Sequence, residues 1–466
     1  MFDVCIIGCG IVGAAAAYEL SRYELNVAVL ERENDVAMGA TKANSAVIHA
    51  GYDPEPGSLA ARLNAEGSKL AGDLCDKLDV PHKHCGSLVL AFSEREAAVL
   101  ERLRQNGGAN GVPGLTILSK EEVLAKEPGL SREVFAALYA PSAMVVDPWD
   151  YTLALAETAV KNGVDVRLEW GVTAIEPVEG GYRLRAARGE VETKVVLNAA
   201  GLYADEIHNM VFEPAFAIRP AKGEYYLLDK SEGARVSHVI FQCPTEAGKG
   251  VLIAPTVHGN LIAGPNNERP RNREDRSTTA EGLAFVKTAA RKSAPGLDFG
   301  ANIRHFAGNR ALSGRDDFII EEAGPGFIDL AGIKSPGLSA APAVAKMAAG
   351  LCGLELKRKS HFCDTRKRIR FDPLPSGEKA ALAARDPAYG RVVCRCETVT
   401  EGEIRDALRS PVPPRSIDGV KRRCGAGMGR CQGGFCSPHV LKMIAIHHKC
   451  EMNGVLQDGE GSYVLI

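Results

Sequence analysis

The chain runs to 466 residues, 45% of them hydrophobic and 24% charged, with a formal net charge of −2. That length exceeds what one core can organise and predicts several domains, while the absence of a net basic footprint excludes a nucleic-acid partner. No apolar run approaches the ~20 residues of a membrane span, and Met1-Phe-Asp-Val opens directly on a strand, so neither a leader nor a transmembrane helix is expected. Thirteen cysteines, an odd number unevenly spread, suit a reducing compartment such as the cytoplasm, and a metal site better than a disulfide scaffold. Cys5, Cys9, Cys75, Cys85, Cys243 and Cys352 read as small buried apolar side chains.

The first elements form a βαβ unit. Asp3–Ile7 is a short apolar strand, Gly8-Cys-Gly10-Ile-Val-Gly13 a turn, residues 14–22 a helix, and Asn26–Leu30 a second strand ending at Glu31. Gly8 permits the tight turn, Gly10 lets backbone approach a pyrophosphate, and Gly13 lets helix pack on strand. The helix N-terminus then offers unbonded N–H groups to the phosphates. Glu31, eighteen residues beyond Gly13, stands where a carboxylate would take ribose hydroxyls. No second such turn follows a strand, so an NAD(P)H site is not expected.

Further along come Gly39-Ala-Thr-Lys-Ala-Asn-Ser-Ala-Val-Ile-His49-Ala-Gly51, Val195-Val-Leu-Asn-Ala-Ala-Gly201-Leu-Tyr-Ala204 and Gly332-Ile-Lys-Ser-Pro-Gly337-Leu-Ser-Ala-Ala. These three motifs, in this order, resemble the flavin-facing segments of the D-amino-acid-oxidase-like (glycine-oxidase-type) FAD oxidoreductases, over roughly residues 1–350. The resemblance makes FAD the expected dinucleotide. It implies contacts from Gly8, Gly10, Ile11, Val12 and Gly13 in the first turn, and from Glu31 and Arg32 after the second strand. Thr41, Asn44 and Ser45 follow in the first motif, then Val172, then Ala200 and Gly201 in the second. Gly332, Lys334, Gly337, Leu338 and Ser339 complete the set in the third.

The implied fold is an α/β FAD-binding Rossmann-like domain with an inserted α+β substrate-capping domain. The FAD domain is expected to be discontinuous, over 1–81, 148–216 and 310–360, with 82–147 and 217–309 forming the cap. Within the FAD domain, residues 166–175, 182–187 and 195–197 read as strands. Substrate is expected above the flavin at the domain junction.

Within the family, the chain is most similar to two groups: anaerobic glycerol-3-phosphate dehydrogenases, which also carry a C-terminal cysteine domain, and L-2-hydroxyglutarate oxidases, whose flavin segment resembles residues 49–59. Either substrate is an anionic secondary alcohol. Its oxidation requires a hydride acceptor, a proton acceptor and fixed positive charge. His49 is the candidate base, since an imidazole suits that role near neutral pH; the alternative is that its ring only packs on the flavin. His305 is a second candidate.

Arg310 and Arg315 match positions of substrate-site arginines in the glycerol-phosphate group, and a guanidinium fork grips phosphate or carboxylate bidentately. Surface salt-bridging is the alternative for each. Lys334 is expected beside the flavin ring, binding the substrate anion or stabilising negative charge there. The Lys222-Gly-Glu-Tyr-Tyr226 strand resembles the substrate-lining strand of the family, although an ordinary strand pair explains it as well. One departure stands out: Tyr52-Asp53-Pro54 occupies the place of an arginine that helps hold phosphate. An aspartate there repels a phosphate dianion, so either the phosphate binds elsewhere or the substrate is a carboxylate.

Residues 361–390 read as a linker whose Lys/Arg-rich start is solvated. From Arg391 the chain resembles a bacterioferritin-associated-ferredoxin-like [2Fe–2S] domain over 391–466. Cys394-Arg-Cys396 and Cys431-Gln-Gly-Gly-Phe-Cys436 supply four thiolates, and helices are expected over 400–408 and from Pro438. Zinc also takes four thiolates, but the spacing and the surrounding glycines favour iron. Cys424 is a spare thiol, a possible alternative ligand. His439, His447 and His448 read as surface residues.

A cluster implies an external acceptor, namely an electron-accepting flavoprotein or a quinone-linked subunit. Such a hetero- or homo-oligomer would meet the inner membrane face only through that partner. Direct use of oxygen is the simpler competitor. An amino-acid or amine dehydrogenase, and a non-catalytic electron-transfer subunit, are the remaining alternatives.

Overall fold

A computed structural model describes residues 1–244 and 250–465. Phe2–Ile7 forms the middle of the first sheet, parallel to Val27–Leu30 on one side and to Gly189–Asn198 on the other. Asp165–Arg167 extends the sheet beyond Val27–Leu30. Past Gly189–Asn198 the sheet forks, into the hairpin Val172–Val178/Gly181–Ala186 and into the pair Phe327–Ala331/Ile319–Gly324.

Helices Ile11–Leu20, Leu59–Lys77, Pro148–Lys161 and Gly337–Leu351 pack together over this sheet. Their contact surfaces are rich in alanine: Ala14, Ala16, Ala17, Ala340, Ala341 and Ala348 are fully buried. Such small side chains let helix backbones approach closely at little cost in side-chain entropy.

The first helix starts at Ile11, earlier than its alanine run suggests, because the Thr41 hydroxyl accepts the otherwise orphaned Ile11 N–H at 3.0 Å. The strand expected over 166–175 is broken. Glu169 and Trp170 turn away to donate to the carbonyls of Glu33 and Glu31, at 2.9 and 2.7 Å, and Glu169 takes a φ of +59° to do so.

The second sheet has eight strands and comes from two separated stretches of chain. Asn302–Leu312 and Arg219–Leu228 form one edge in a long antiparallel pair. Leu261–Gly264, Leu252–Pro255 and Val239–Gln242 follow, and Ser87–Ala91, Ala136–Ala140 and Thr116–Ser119 complete it. Leu88, Leu90, Ile240, Ile253 and Val286 anchor its core against helix Ala280–Ser293.

The basic run that the sequence placed in solvent is instead a clamp. Arg366 is 3% exposed and donates to Asp150 at 2.7 Å and to Glu157 at 2.8 Å, both on helix Pro148–Lys161. Arg368 also pairs with Asp150, and Arg370 with Asp79 at 3.0 Å. Burial alone would raise the Asp150 carboxyl, but the Arg368 and Arg366 guanidiniums hold it down to about 2. Carboxylates 79 and 150, far away in sequence, decide where this segment lies. A helix, Ser376–Arg385, follows it.

The C-terminal region has its own core of Ile404, Leu408, Ile417, Val420, Val440 and Ile444. Its helices are Glu401–Leu408, started by a Thr400/Glu403 capping box, then Ile417–Cys424 and Ser437–His448. Among the described residues no helix is long and apolar enough to cross a membrane.

Candidate active site

A cavity of about 670 Å³ lies between the two large sheets. Its inner end is built from the glycine-rich turn. Gly8 has φ +95°, and a Cβ there would sit 2.7 Å from the Ala199 carbonyl oxygen. A Cβ on Gly13 would sit 2.0 Å from the Gly8 oxygen, so Gly13 works behind the wall while Gly8, Gly10, Ile11 and Val12 line it.

Glu31 is buried at this end. Its carboxylate accepts the N–H of Cys9 at 2.6 Å and of Glu33 at 3.0 Å, and burial pushes its carboxyl up. A carboxylate has about four lone-pair sites, so capacity remains for ribose hydroxyls. Arg32 lies over the Tyr203 ring at 4.0 Å, with Val172, Ala200 and Gly201 beside it in the wall. Asn44 stabilises its own loop, accepting from the Ala46 N–H at 2.7 Å and donating to the Thr41 carbonyl at 2.8 Å. This end is a glycine-rich turn in which Gly8 and Gly13 admit no Cβ, with the buried Glu31 carboxylate beside it, and it fits a dinucleotide.

At the other end the structure gathers His49, Arg310, Lys334, Ser45, Gly337 and Leu338 around the same space. The His49 backbone is held from two directions: its N–H donates to the buried Ser339 hydroxyl at 2.8 Å, and its carbonyl accepts from Ser68 at 2.6 Å. Its Nε2 lies 3.3 Å from the Ser335 hydroxyl, and its ring centre 5.7 Å from that of Phe241. Arg310 donates one Nη2 bond to the Asn266 carbonyl at 3.0 Å, which aims the fork from the strand end into the cavity.

Gly332 stands just outside, at φ +62° against the Ser313 side chain. Arg315 is also outside. It is exposed and pairs with Glu321 at 3.0 Å, the surface arrangement weighed as its alternative. His305 is exposed too, its ring edge on Tyr226.

Two residues beside the cavity were not singled out in the sequence: Ser335 faces His49, and Phe241 backs the imidazole. Tyr225, in the strand read as substrate-lining, lies in the wall, stacked 4.7 Å from Phe306 with its hydroxyl 3.4 Å from Ser45. Ser335 sits inside a recognised motif and was reachable. Phe241, on a strand of the second sheet, carries no local signal. Lys222, in contrast, is buried with Glu224 and Asp275 at 3.6 and 3.5 Å and braces the strand. Asp53 lines the cavity mouth beside His49 and Ser335.

The cysteines form a second constellation. Cys394 and Cys396 have sulfurs 3.8 Å apart, and Cys396 and Cys431 3.7 Å. A metal about 2.3 Å from each of two tetrahedral thiolates sets them roughly 3.8 Å apart. The Gly427 and Glu397 N–H groups donate to the Cys394 sulfur. Burial works to raise Cys431, but the N–H groups of Gly433, Phe435 and Gly434 carry it below the ordinary thiol range. These donors suit sulfur that stays negative, as cluster ligands do.

Among the described residues no three potential ligands converge on a single ion position, so the sulfurs arrive as neighbouring pairs. Cys424 is not among them: it donates to the Val420 carbonyl, and burial pushes its thiol up to about 12. A Cβ on Gly429 would lie 2.5 Å from the Cys396 sulfur. Gly429→Ala is therefore expected to lose most of its bound iron and its visible cluster absorbance, with flavin content unchanged, as measured by iron assay and spectroscopy.

Comparison with known proteins follows the same division. Residues 3–351 match the family model of FAD-dependent oxidoreductases, and residues 392–446 that of the BFD-like [2Fe–2S] binding domain. A glycerol 3-phosphate dehydrogenase of Caloramator mitchellensis is 49% identical over 100% of this chain and 98% of its own length. A glycerol 3-phosphate oxidase of Mycoplasma genitalium is 36% identical over 77% of this chain and 97% of its own. Among solved structures, the FAD-bound L-α-glycerophosphate oxidase of Mycoplasma pneumoniae superposes with a TM-score of 0.75 at 33% identity, covering 78% of this chain and 98% of its own. An L-2-hydroxyglutarate dehydrogenase of Salmonella houtenae is 33% identical over 57% of this chain and 64% of its own.

Proposed function

Because the chain belongs to the FAD-dependent oxidoreductase family and carries a BFD-like [2Fe–2S] domain at its C-terminal end, we propose that it oxidises sn-glycerol 3-phosphate to dihydroxyacetone phosphate and passes the electrons to an external acceptor. The observation that carries this reading is the 49% identity with a glycerol 3-phosphate dehydrogenase along the entire chain, cysteine region included. When bound, FAD supplies the hydride acceptor and the [2Fe–2S] centre the single-electron exit.

The residues of the chain do the rest. The Nε2 of His49 takes the proton of the secondary hydroxyl, with the Ser335 hydroxyl orienting the ring. Arg310, pinned through Asn266, presents its remaining N–H groups to the substrate anion, and Lys334 adds a second positive charge from the opposite loop. Asp53 repels the phosphate from the mouth, which directs it toward Arg310. Tyr225 and Phe241 exclude water from the alcohol carbon. The acceptor is an external electron-carrying partner, and any membrane contact is made through it.

Asp53 in the cavity wall also favours a second reading, a 2-hydroxy-acid dehydrogenase acting on L-2-hydroxyglutarate. Anaerobic bleaching of the bound flavin decides between them. Saturable bleaching by sn-glycerol 3-phosphate with none by L-2-hydroxyglutarate is expected. The converse pattern installs the second reading, and bleaching by neither removes both.

A further inference from the structure

The four cluster ligands are not equally covered. Cys394 and Cys436 are 1% and 2% exposed, whereas Cys396 and Cys431, with sulfurs 3.7 Å apart, lie open to solvent. Beside them stands Phe435, between the last two ligands and 79% exposed, the barest large apolar side chain among the described residues. The loop that carries it turns its own backbone N–H groups toward Cys431. A bare aromatic ring at a metal centre is the kind of anchor that interfaces use.

Exposed basic residues flank the ligand loops. Arg395 lies between the first two ligands and Arg430 immediately precedes the third; Lys442 projects from the helix Ser437–His448 that starts one residue past the fourth. All three are exposed, and none is ion-paired with a described carboxylate. Arg304, also exposed, reaches the same loop through its bond to Gln432 at 3.3 Å. The neighbouring carboxylate, Glu397, is already neutralised by Lys230 at 3.0 Å. This concentration of unpaired positive charge belongs to a chain whose net charge is −2, so it is a local feature.

We propose that Phe435, with the exposed Arg304, Arg395, Arg430 and Lys442 on and beside the ligand loops, forms the docking surface for a small acidic protein that carries single electrons. The proposal rests on the reading that electrons leave through the C-terminal domain, and it specifies the class of partner. Opposite charge steers such encounters and sets their rate more than their final affinity, which suits a carrier that must also leave. The transfer itself makes and breaks no bond: one electron leaves the reduced centre for each ferric haem or oxidised carrier that gains one. A membrane surface fits less well, because one ring among charged side chains is not the continuous apolar face that interfacial helices bury.

The test uses the full-length holoenzyme and two one-electron probes of opposite charge, the acidic soluble domain of cytochrome b5 and the basic cytochrome c. Binding to the resting enzyme is measured by sedimentation at low ionic strength. Haem reduction is then measured after the enzyme has been reduced photochemically, so that no substrate enters. The acidic probe is expected to bind and to be reduced at least about tenfold faster than the basic one, with the advantage falling as salt rises.

Lys442→Glu and Phe435→Ser should each weaken binding and slow haem reduction severalfold, while iron content and photochemical flavin bleaching stay unchanged. Equal behaviour of the two probes, a preference for cytochrome c, or stronger binding to anionic phospholipid vesicles than to cytochrome b5 overturns the proposal. Failure of glycerol 3-phosphate to bleach the flavin would touch only the substrate assignment, since the photoreduced assay does not depend on it.

Discussion

Replacing His49 by asparagine is expected to lower kcat for glycerol 3-phosphate about 10²–10⁴-fold, the usual worth of a positioned general base, with little change in substrate affinity. Asparagine stays polar but stops short of the Nε2 position that faces Ser335, and it takes no proton. The backbone of residue 49, held by Ser339 and Ser68, should not move. Single-turnover flavin bleaching measures the step directly. In the wild type the bleaching rate should rise with pH as the imidazole becomes neutral, and in the variant that rise should vanish. A loss below tenfold with an unchanged pH profile would reduce His49 to a packing residue. Ser335→Ala is the companion variant: if the hydroxyl orients the ring, it should produce a smaller loss with the pH dependence retained.

Asp35→Ala is expected to be the most destabilising single change outside the cavity. Asp35 is 1% exposed and receives a two-pronged bond from Arg423, at 2.8 Å to each oxygen, and a third from Arg422 at 3.1 Å. Arg422 also reaches Asp458 at 2.7 Å, and Asp458 pairs with Lys42. These contacts fasten the C-terminal domain to the loop between Glu33 and Lys42, whose Ala37 N–H in turn bonds the Cys9 carbonyl of the glycine-rich turn. Removing the carboxylate leaves the buried Arg423 guanidinium without a counter-charge and Arg422 with Asp458 alone, a cost of about 3–5 kcal/mol.

The variant should therefore lose FAD on gel filtration and expose residues 391–466 to proteolysis. Removing both sides together, with Asp35→Leu, Arg422→Met and Arg423→Met, should recover much of that loss. The same contact predicts an acid limit. Burial alone would raise the Asp35 carboxyl, but Arg423 and Arg422 outweigh burial and hold it below the ordinary range. A folded-state value below the unfolded one of about 3.9 gives stability that is full above about pH 4 and is lost as pH falls through the folded value. FAD release on acidification should follow that course in the wild type and be flattened in the triple variant.

Why some of the molecule could be read in advance and some could not is visible in particular residues. The first turn was legible because each glycine answers a local backbone demand: φ at Gly8, and an approach at Gly13 that no Cβ survives. The cysteine site was legible for a similar reason, since ligands two and five residues apart fall on the same loops in nearly any fold. Arg310 and Arg315 both matched the motif, which favoured Arg310 without removing Arg315. Only the end of strand Asn302–Leu312 separates them, delivering one to the cavity and the other to Glu321. The 361–370 run looked solvated because its partners Asp79, Asp150 and Glu157 lie more than 200 residues back, where charge patterning within a window cannot see them.

By itself, then, the sequence determined the dinucleotide turn, the flavin family and the thiolate set, all of which rest on spacing and on backbone conformations that neighbours in the chain dictate. Only the tertiary structure decided which arginine lines the cavity, which aromatic ring backs His49, and that Asp35 would meet Arg423 across 388 residues of chain. Those outcomes depend on burial, which removes water as a competing partner and leaves each buried charge or ring to the one neighbour that the packing of sheets and helices brings to it.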